Sequence, residues 1–245
     1  FYNVYYSPDN GVSWEPLAID LETTNLEVDT DTIPGSSSAK IRVSVSDGVH
    51  SVSDESDSTF IVEPKGPQIS IILQDENTDF LANRFVMLRG IGYDLEDGQF
   101  EGDDLCWSSD LDGDLGCGES ITPFLSVGAH SITLQAIDSD GNIAVSTETI
   151  NIVECFDINT YTSPLNAGKI IVDVSPNCSA NPELYAKDSV INLNIEPNRG
   201  FSFIEWSEDI NGTDLPKTIS IDRDLLINAR FEQTEFFINL PLILR

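Results

Sequence analysis

The sequence predicts an all-β chain, a tandem of β-sandwiches followed by a small β-rich module. Three observations carry that reading. Turn residues punctuate the chain every 8–12 residues, the spacing of short strands in sandwiches. The runs between them are rich in β-branched residues and alternate apolar with polar, the period-two signature of half-buried strands. No segment combines a helical period with helix caps.

Taken in order, Tyr2-Asn3-Val4-Tyr5-Tyr6 reads as the first strand. Ala39-Lys40-Ile41-Arg42-Val43-Ser44-Val45-Ser46 alternates strictly and ends at Asp47-Gly48. Thr59-Phe60-Ile61-Val62 is a terminal strand, and Glu63-Pro64-Lys65-Gly66-Pro67 follows it as a short stiff linker. Beyond it, strands are expected over 67–73, 84–90, 130–136 and 149–153. A break at Glu154-Cys155 sets off the last module. The expected division is 1–65, 66–153 and 154–235, with an apolar tail over 236–245. Pro241 within that tail argues against a central strand. An edge strand, a sorting or processing signal and a docking peptide remain as readings of it.

At 245 residues and 40% hydrophobic content, the chain can bury cores in one large or two to three small domains. Its charge is extreme: 42 acidic residues against 12 basic, a net of −30. The stretch 66–153 is the most acidic, with 16 acids against 2 bases. Such a field repels nucleic acid and anionic membranes, whose binding requires Lys and Arg. It favours solubility and cation binding. No run of 18 apolar residues occurs, so no membrane-spanning helix is expected. No signal peptide is evident, and Phe1 falls inside an apparent strand. The chain therefore reads as a fragment or processed product of something longer.

The four cysteines, Cys106, Cys117, Cys155 and Cys178, allow three disulfide connectivities. Spacing favours Cys106–Cys117 and Cys155–Cys178, since each pair then lies within one expected module. Zinc would need closer cysteines or added histidines, and His50 and His130 sit elsewhere, at strand-like positions. Disulfides imply an oxidising, extracytoplasmic setting.

Acid clusters are the main candidates for chemistry. Asp94, Glu96 and Asp97 form one, Asp103 and Asp104 another, Asp110, Asp112 and Asp114 a third, and Asp138 and Asp140 a fourth. Loops gather at the two ends of a sandwich, so the first, third and fourth can converge. Hard oxygen donors of this kind suit calcium. The stretch from Asp110 is no EF-hand: glycine stands at its fourth position, and Ile121 stands where a bidentate Glu belongs. Solvated turns are the alternative. Paired carboxylates could serve a glycosidase, but pairs are unavoidable among 42 acids. Nucleophile-elbow, zincin and phosphate-loop motifs are absent. No enzymatic activity is expected. Trp14, Trp107 and Trp206 could stack on sugars; Trp107 and Trp206 are expected in module cores, with Trp107 facing away from Cys106.

Several motifs resemble known families. Ala167-Gly168-Lys169-Ile170-Ile171-Val172-Asp173-Val174-Ser175-Pro176, Ser189 through Pro197, Gly200-Phe201-Ser202-Phe203-Ile204-Glu205-Trp206-Ser207 and Ile227-Asn228-Ala229-Arg230-Phe231 resemble the divergent internalin B-repeat. That resemblance implies a small all-β unit of secreted and cell-surface bacterial proteins. Ile33-Pro34-Gly35, Ile41-Arg42-Val43 and Ser46-Asp47-Gly48 give the first module a resemblance to fibronectin type III or immunoglobulin-like domains. The second resembles polycystic-kidney-disease-type sandwiches, through Gly92-Tyr93-Asp94-Leu95-Glu96-Asp97-Gly98, Leu105 through Asp110, Gly128-Ala129-His130 and Ala136 through Asn142. Ser7-Pro8-Asp9-Asn10-Gly11-Val12-Ser13-Trp14 resembles the sialidase Asp-box. This resemblance implies a hairpin in which Asp caps, Gly takes positive φ and Trp packs; a single copy does not make a sialidase.

The expected function is non-catalytic: a spacer, anchor or adhesion array, extracellular or at a cell surface. Its expected partners are other proteins or cell-surface glycans, possible self-association through strand edges or the tail included, without nucleic acid or membrane insertion. Calcium is the one cofactor in view. The alternatives are a carbohydrate-binding region of a secreted hydrolase and a filament or sheath subunit.

Overall fold

The computed structural model describes residues 1–73 and 78–234. It is all-β: among the described residues the only helical turns are the 3-10 turns Thr30–Thr32 and Gly102–Asp104. Among the described residues no helix is long and apolar enough to cross a membrane. The tail over 236–245 lies outside the described residues. The chain forms two compact units. One takes in Phe1–Gln74, Met87–Pro123 and Ser131–Glu148, the other Asp75–Val86, Phe124–His130 and Thr149–Arg245.

In the first unit, β1 (Tyr2–Ser7), β2 (Glu15–Leu21), β3 (Ser36–Ser46), β4 (Ser51–Glu55) and β5 (Phe60–Val62) form one sheet. Its order is β2-β1-β3-β4, and β5 also pairs with β3. Tyr6, Ile33, Ala39 and Val62 form its buried cluster. The next strands are β6 (Gln68–Ile72), β7 (Asp79–Leu81), β8 (Leu88–Asp94), β9 (Gly98–Gln99), β10 (Leu105–Ser109), β11 (Gly113–Cys117), β12 (Ser120–Ile121), β13 (Gly128–Ile137) and β14 (Ile143–Val153). One path runs β12-β8-β6, with β9 on β8; another runs β11-β10-β13-β14. Leu105, Trp107, Ile132, Leu134 and Ala136 are buried at alternate positions of β10 and β13, as the pleat requires. Trp107 is buried while Cys106 points to the other face, and its indole N–H donates to the Gly118 carbonyl at 2.8 Å.

The strand expected over 84–90 lies instead at Leu88–Asp94. Its two glycines do not end it. A Cβ on Gly90 would come within 2.6 Å of Leu134 Cδ2, and one on Gly92 within 2.8 Å of the Phe100 ring. Both are places where the backbone must lie flat against the core. His50 stands in the exposed turn between β3 and β4 rather than in a strand. His130 is fully buried in β13, its Nε2 2.7 Å from the Ser126 carbonyl.

The second unit contains β15 (Cys155–Phe156), β16 (Ile158–Ser163), β17 (Gly168–Val172), β18 (Tyr185–Ala186), β19 (Val190–Pro197), β20 (Phe201–Glu208), β21 (Lys217–Ser220) and β22 (Leu225–Gln233). Their sheets run β15-β18, β16-β22-β20 and β17-β19-β21, and β16 lies parallel to β22. Here too Asn151–Val153 pair in parallel with β7. Trp206, Ile191, Leu193, Ile227 and Phe231 belong to one buried cluster. A Cβ on Gly168 would lie 2.6 Å from the Phe231 ring, so the glycine that opens β17 lets the ring pack.

Candidate functional site

The acidic turns of 66–153 are built from the strands that carry them. In β8, Leu88, Gly90, Gly92 and Asp94 all face inward. The two-residue period therefore places a carboxylate at the edge of a core, and Asp94 is 2% exposed. Asp94 Oδ1 accepts the N–H groups of Glu96 at 2.8 Å and Asp97 at 3.0 Å, which closes the turn into β9. Asp94 Oδ2 is buried and meets no hydrogen-bond donor.

Glu96 leaves that turn toward the linker. Its Oε1 accepts the N–H of Gly35 and, at 3.1 Å, that of Lys65. Gly35 cannot be larger: a Cβ there would sit 2.4 Å from Pro64 Cα and 2.8 Å from Glu96 Oε1. Glu96 Oε2, like Asp94 Oδ2, is buried without a donor. Burial raises the Asp94 pKa most; the N–H groups of Asp97 and Glu96 oppose it, and the neighbouring Glu96 carboxyl raises it further. Tyr6 is held nearby, its hydroxyl donating to the Pro34 carbonyl at 2.7 Å. Its pKa is raised by burial first, then by Glu96 and Glu15.

The Asp138–Asn142 loop meets the same turn. Asp97 accepts both the N–H and the hydroxyl of Ser139 at 2.7 Å. Asp138 accepts the Asn142 N–H at 2.7 Å and its side-chain amide at 2.8 Å. Burial pushes the Asp138 pKa up, but these bonds and the N–H groups of Asp140 and Gly141 outweigh it, so it lies below the ordinary value. The Asn142 amide also reaches the Lys65 carbonyl at 3.5 Å.

Through Asp97 and Ser139 the structure thus joins the turn of Asp94, Glu96 and Asp97 to the loop that carries Asp138 and Asp140. The β10–β11 hairpin acids have partners of their own. Asp110 Oδ1 accepts the Ser131 N–H at 2.7 Å, and Asp114 Oδ1 the Gly116 N–H at 2.9 Å. Asp114 lies in β11, and Asp112 lies in the turn before it. Asp103 and Asp104 fall in a 3-10 turn, where Asp104 Oδ2 accepts the Glu101 N–H. Among the described residues no three Asp, Glu, His or Cys side chains gather closely enough to hold a metal by themselves. Gly35, Lys65 and Ser139 were not legible as partners of the acids. The inward period of β8 was the signal that would have marked Asp94.

The cysteines pair as Cys106–Cys117, directly across β10 and β11, and as Cys155–Cys178. Trp107 and Trp206 are each 1% exposed, in core positions. Trp14 donates to the Gly11 carbonyl and lies under the Arg42 guanidinium, 4.0 Å from its ring centre. Asp9 caps the same hairpin: the Ser13 hydroxyl first, then the Ser13 N–H, with smaller help from Ser7 and Val12, hold its pKa down to about 2. On the outer face of β6, β8 and β9, Gln68, Ser70, Ile91, Tyr93 and Gln99 line an open groove of about 520 Å³. Comparison with protein-family models and with curated proteins finds no match. The family resemblances rest on the motif residues themselves.

Proposed function

We propose that this chain is a non-catalytic array of β-modules from a secreted or cell-surface bacterial protein, serving as spacer, anchor or adhesion segment. The observation that carries this is where the chemistry-bearing residue types go. Trp107 and Trp206 fill cores, Asp9 and Asp104 cap turns, and all four cysteines cross-link strands or loops. Two disulfides favour an oxidising, extracellular location. The repeat-like motif from Gly168 to Phe231 favours a surface protein of modular build, and the net charge of −30 disfavours nucleic-acid and anionic-membrane partners.

A second reading, carbohydrate binding, is favoured by one feature. Tyr93, 52% exposed, stands beside Gln68 and Gln99 in the open groove, an aromatic plane flanked by amide donors and acceptors. A glycan array and a hydrolysis panel separate the readings. The array reading expects no turnover, and no glycan binding that depends on the groove of Tyr93. Glycan binding lost in Tyr93→Ala selects the second reading. Turnover of a glycan or peptide, lost on substitution of one acid pair, overturns both.

A further inference from the structure

We infer that Asp94 and Glu96 form a calcium site at the junction between the first sheet and the strands that follow the linker, with Asp94 Oδ2 and Glu96 Oε2 as its protein carboxylate ligands. Both oxygens are buried and neither meets a donor. Asp94 as a whole is 2% exposed. Among the described residues neither acid forms an ion pair with a Lys or Arg. Each carboxylate is fixed through its other oxygen, by two N–H groups on Asp94 Oδ1 and two on Glu96 Oε1. N–H donors favour the charged form of a carboxyl group, whereas burial and the neighbouring Glu96 carboxyl press Asp94 the other way, so two buried carboxyl groups stand together with no cation to offset the repulsion between their charged forms. Leaving such charge without a counterpart is costly, and a cation removes the cost.

The donor chemistry selects the ion. The two assigned ligands are carboxylate oxygens, which suit calcium or magnesium and disfavour zinc and copper. With two carboxylates, the remaining ligands are water and main-chain carbonyls. Calcium tolerates such irregular sets, whereas magnesium demands a near-ideal octahedron. One carboxylate comes from the end of β8. The other is held by Gly35, between the second and third strands of the first sheet, and by Lys65 of the linker. Calcium here would fasten the linker to both. The inference stands apart from the array reading, since an enzyme could hold the same ion.

The test uses the whole chain. In two-dimensional amide NMR, calcium added to about 1 mM, the range of extracellular modules, is expected to shift the Gly35, Lys65, Glu96 and Asp97 amides. The Gly116 and Ser131 amides, which serve the β10–β11 hairpin acids, are expected to stay in place. Chelator is expected to lower the wild-type melting temperature and calcium to restore it. That response is expected to vanish in Asp94→Asn and Glu96→Gln and to persist in Asp112→Asn and Asp114→Asn. The inference is overturned if the Gly35 and Lys65 amides ignore calcium. It is equally overturned if Glu96→Gln, folded by near-ultraviolet circular dichroism, keeps the full calcium response. Amide shifts that follow pH alone would show the two oxygens sharing a proton, and would also overturn it. If the variants do not fold, the wild-type amide shifts decide.

Discussion

Asp94 and Glu96 stand two residues apart where β8 runs into a turn, and Asp112 and Asp114 stand two residues apart where a turn runs into β11. By spacing alone the two pairs offer the same donors to a cation. The structure treats them differently. Asp114 lies exposed on a hairpin whose own backbone supplies its donor. Asp94 sits at an inward position of β8, and Glu96 is drawn toward Gly35 and Lys65, so each keeps one buried oxygen without a donor. Acid spacing describes what a loop could offer. Burial, and the use already made of each oxygen, decides what it needs.

That contrast can be broken or sharpened by experiment. The largest effect is expected from removing the covalent bridge under the hairpin acids. Cys106→Ser with Cys117→Ser opens a cross-link of sequence separation 11, and is expected to destabilise by about 3 kcal/mol in urea unfolding. If the Ser131 amide keeps its shift in that variant, the Asp110 bond stands without the bridge, and hairpin order is a property of the acids themselves.

Gly35→Ala probes the other side. Its Cβ would collide with Pro64 and crowd Glu96, and a cost of about 1–3 kcal/mol is expected from overpacking. The loss of the calcium response together with stability would tie the linker to the buried pair. A loss of stability alone would separate them.

Asp94→Asn is expected to act with the opposite sign in calcium-free buffer. The amide keeps an acceptor for the turn and supplies a donor toward Glu96, so stability is expected to rise by about 1 kcal/mol. Asp114→Asn, on the hairpin, is expected to leave the melting temperature unchanged within about 2 °C. Equal effects at the two sites would dissolve the contrast.

The smallest effect is in titration, where the sign distinguishes the acids. Asp138 and Asp9 lie below the ordinary aspartate value of 3.8. Their contribution to stability is complete above that value and is lost as pH falls through the folded-state value, near 2 for Asp9. Asp94 lies above 3.8. In calcium-free buffer its contribution is complete below that value and is lost as pH rises through the raised one. Carboxyl carbon chemical shifts followed against pH are expected to show Asp94 deprotonating last of the three. Titration of Asp94 alongside Asp138 would mean that its second oxygen is hydrated.

Much of the fold was legible because it rests on local alternation. Ala39–Ser46, His130–Ala136 and the segments around Gly168 and Trp206 carry the period of two, and each lies in a strand. The burial of Trp107 followed from its place next to Cys106. The bounds of β8 were not legible, because Gly90 and Gly92 look like punctuation until the Leu134 side chain and the Phe100 ring are seen against them. The acid clusters were visible as composition only.

By itself, then, the sequence determined the all-β class, the pairing that its cysteine spacing favours, the hairpin at Asp9 and the acidity of the second stretch. The alternation behind the class and the turn at Asp9 depend on residues a few positions apart, whose relation is set by strand period and turn chemistry. Only the tertiary structure decided which acids are distinctive. Glu96 meets Gly35 across 61 positions of chain and Lys65 across 31, and Asp97 meets Ser139 across 42. Contacts at that separation depend on how packed strands bring turns together, which no local pattern records. Because the charge of a buried carboxylate is governed by the donors around it, the chemistry of Asp94 and Glu96 belongs to the fold.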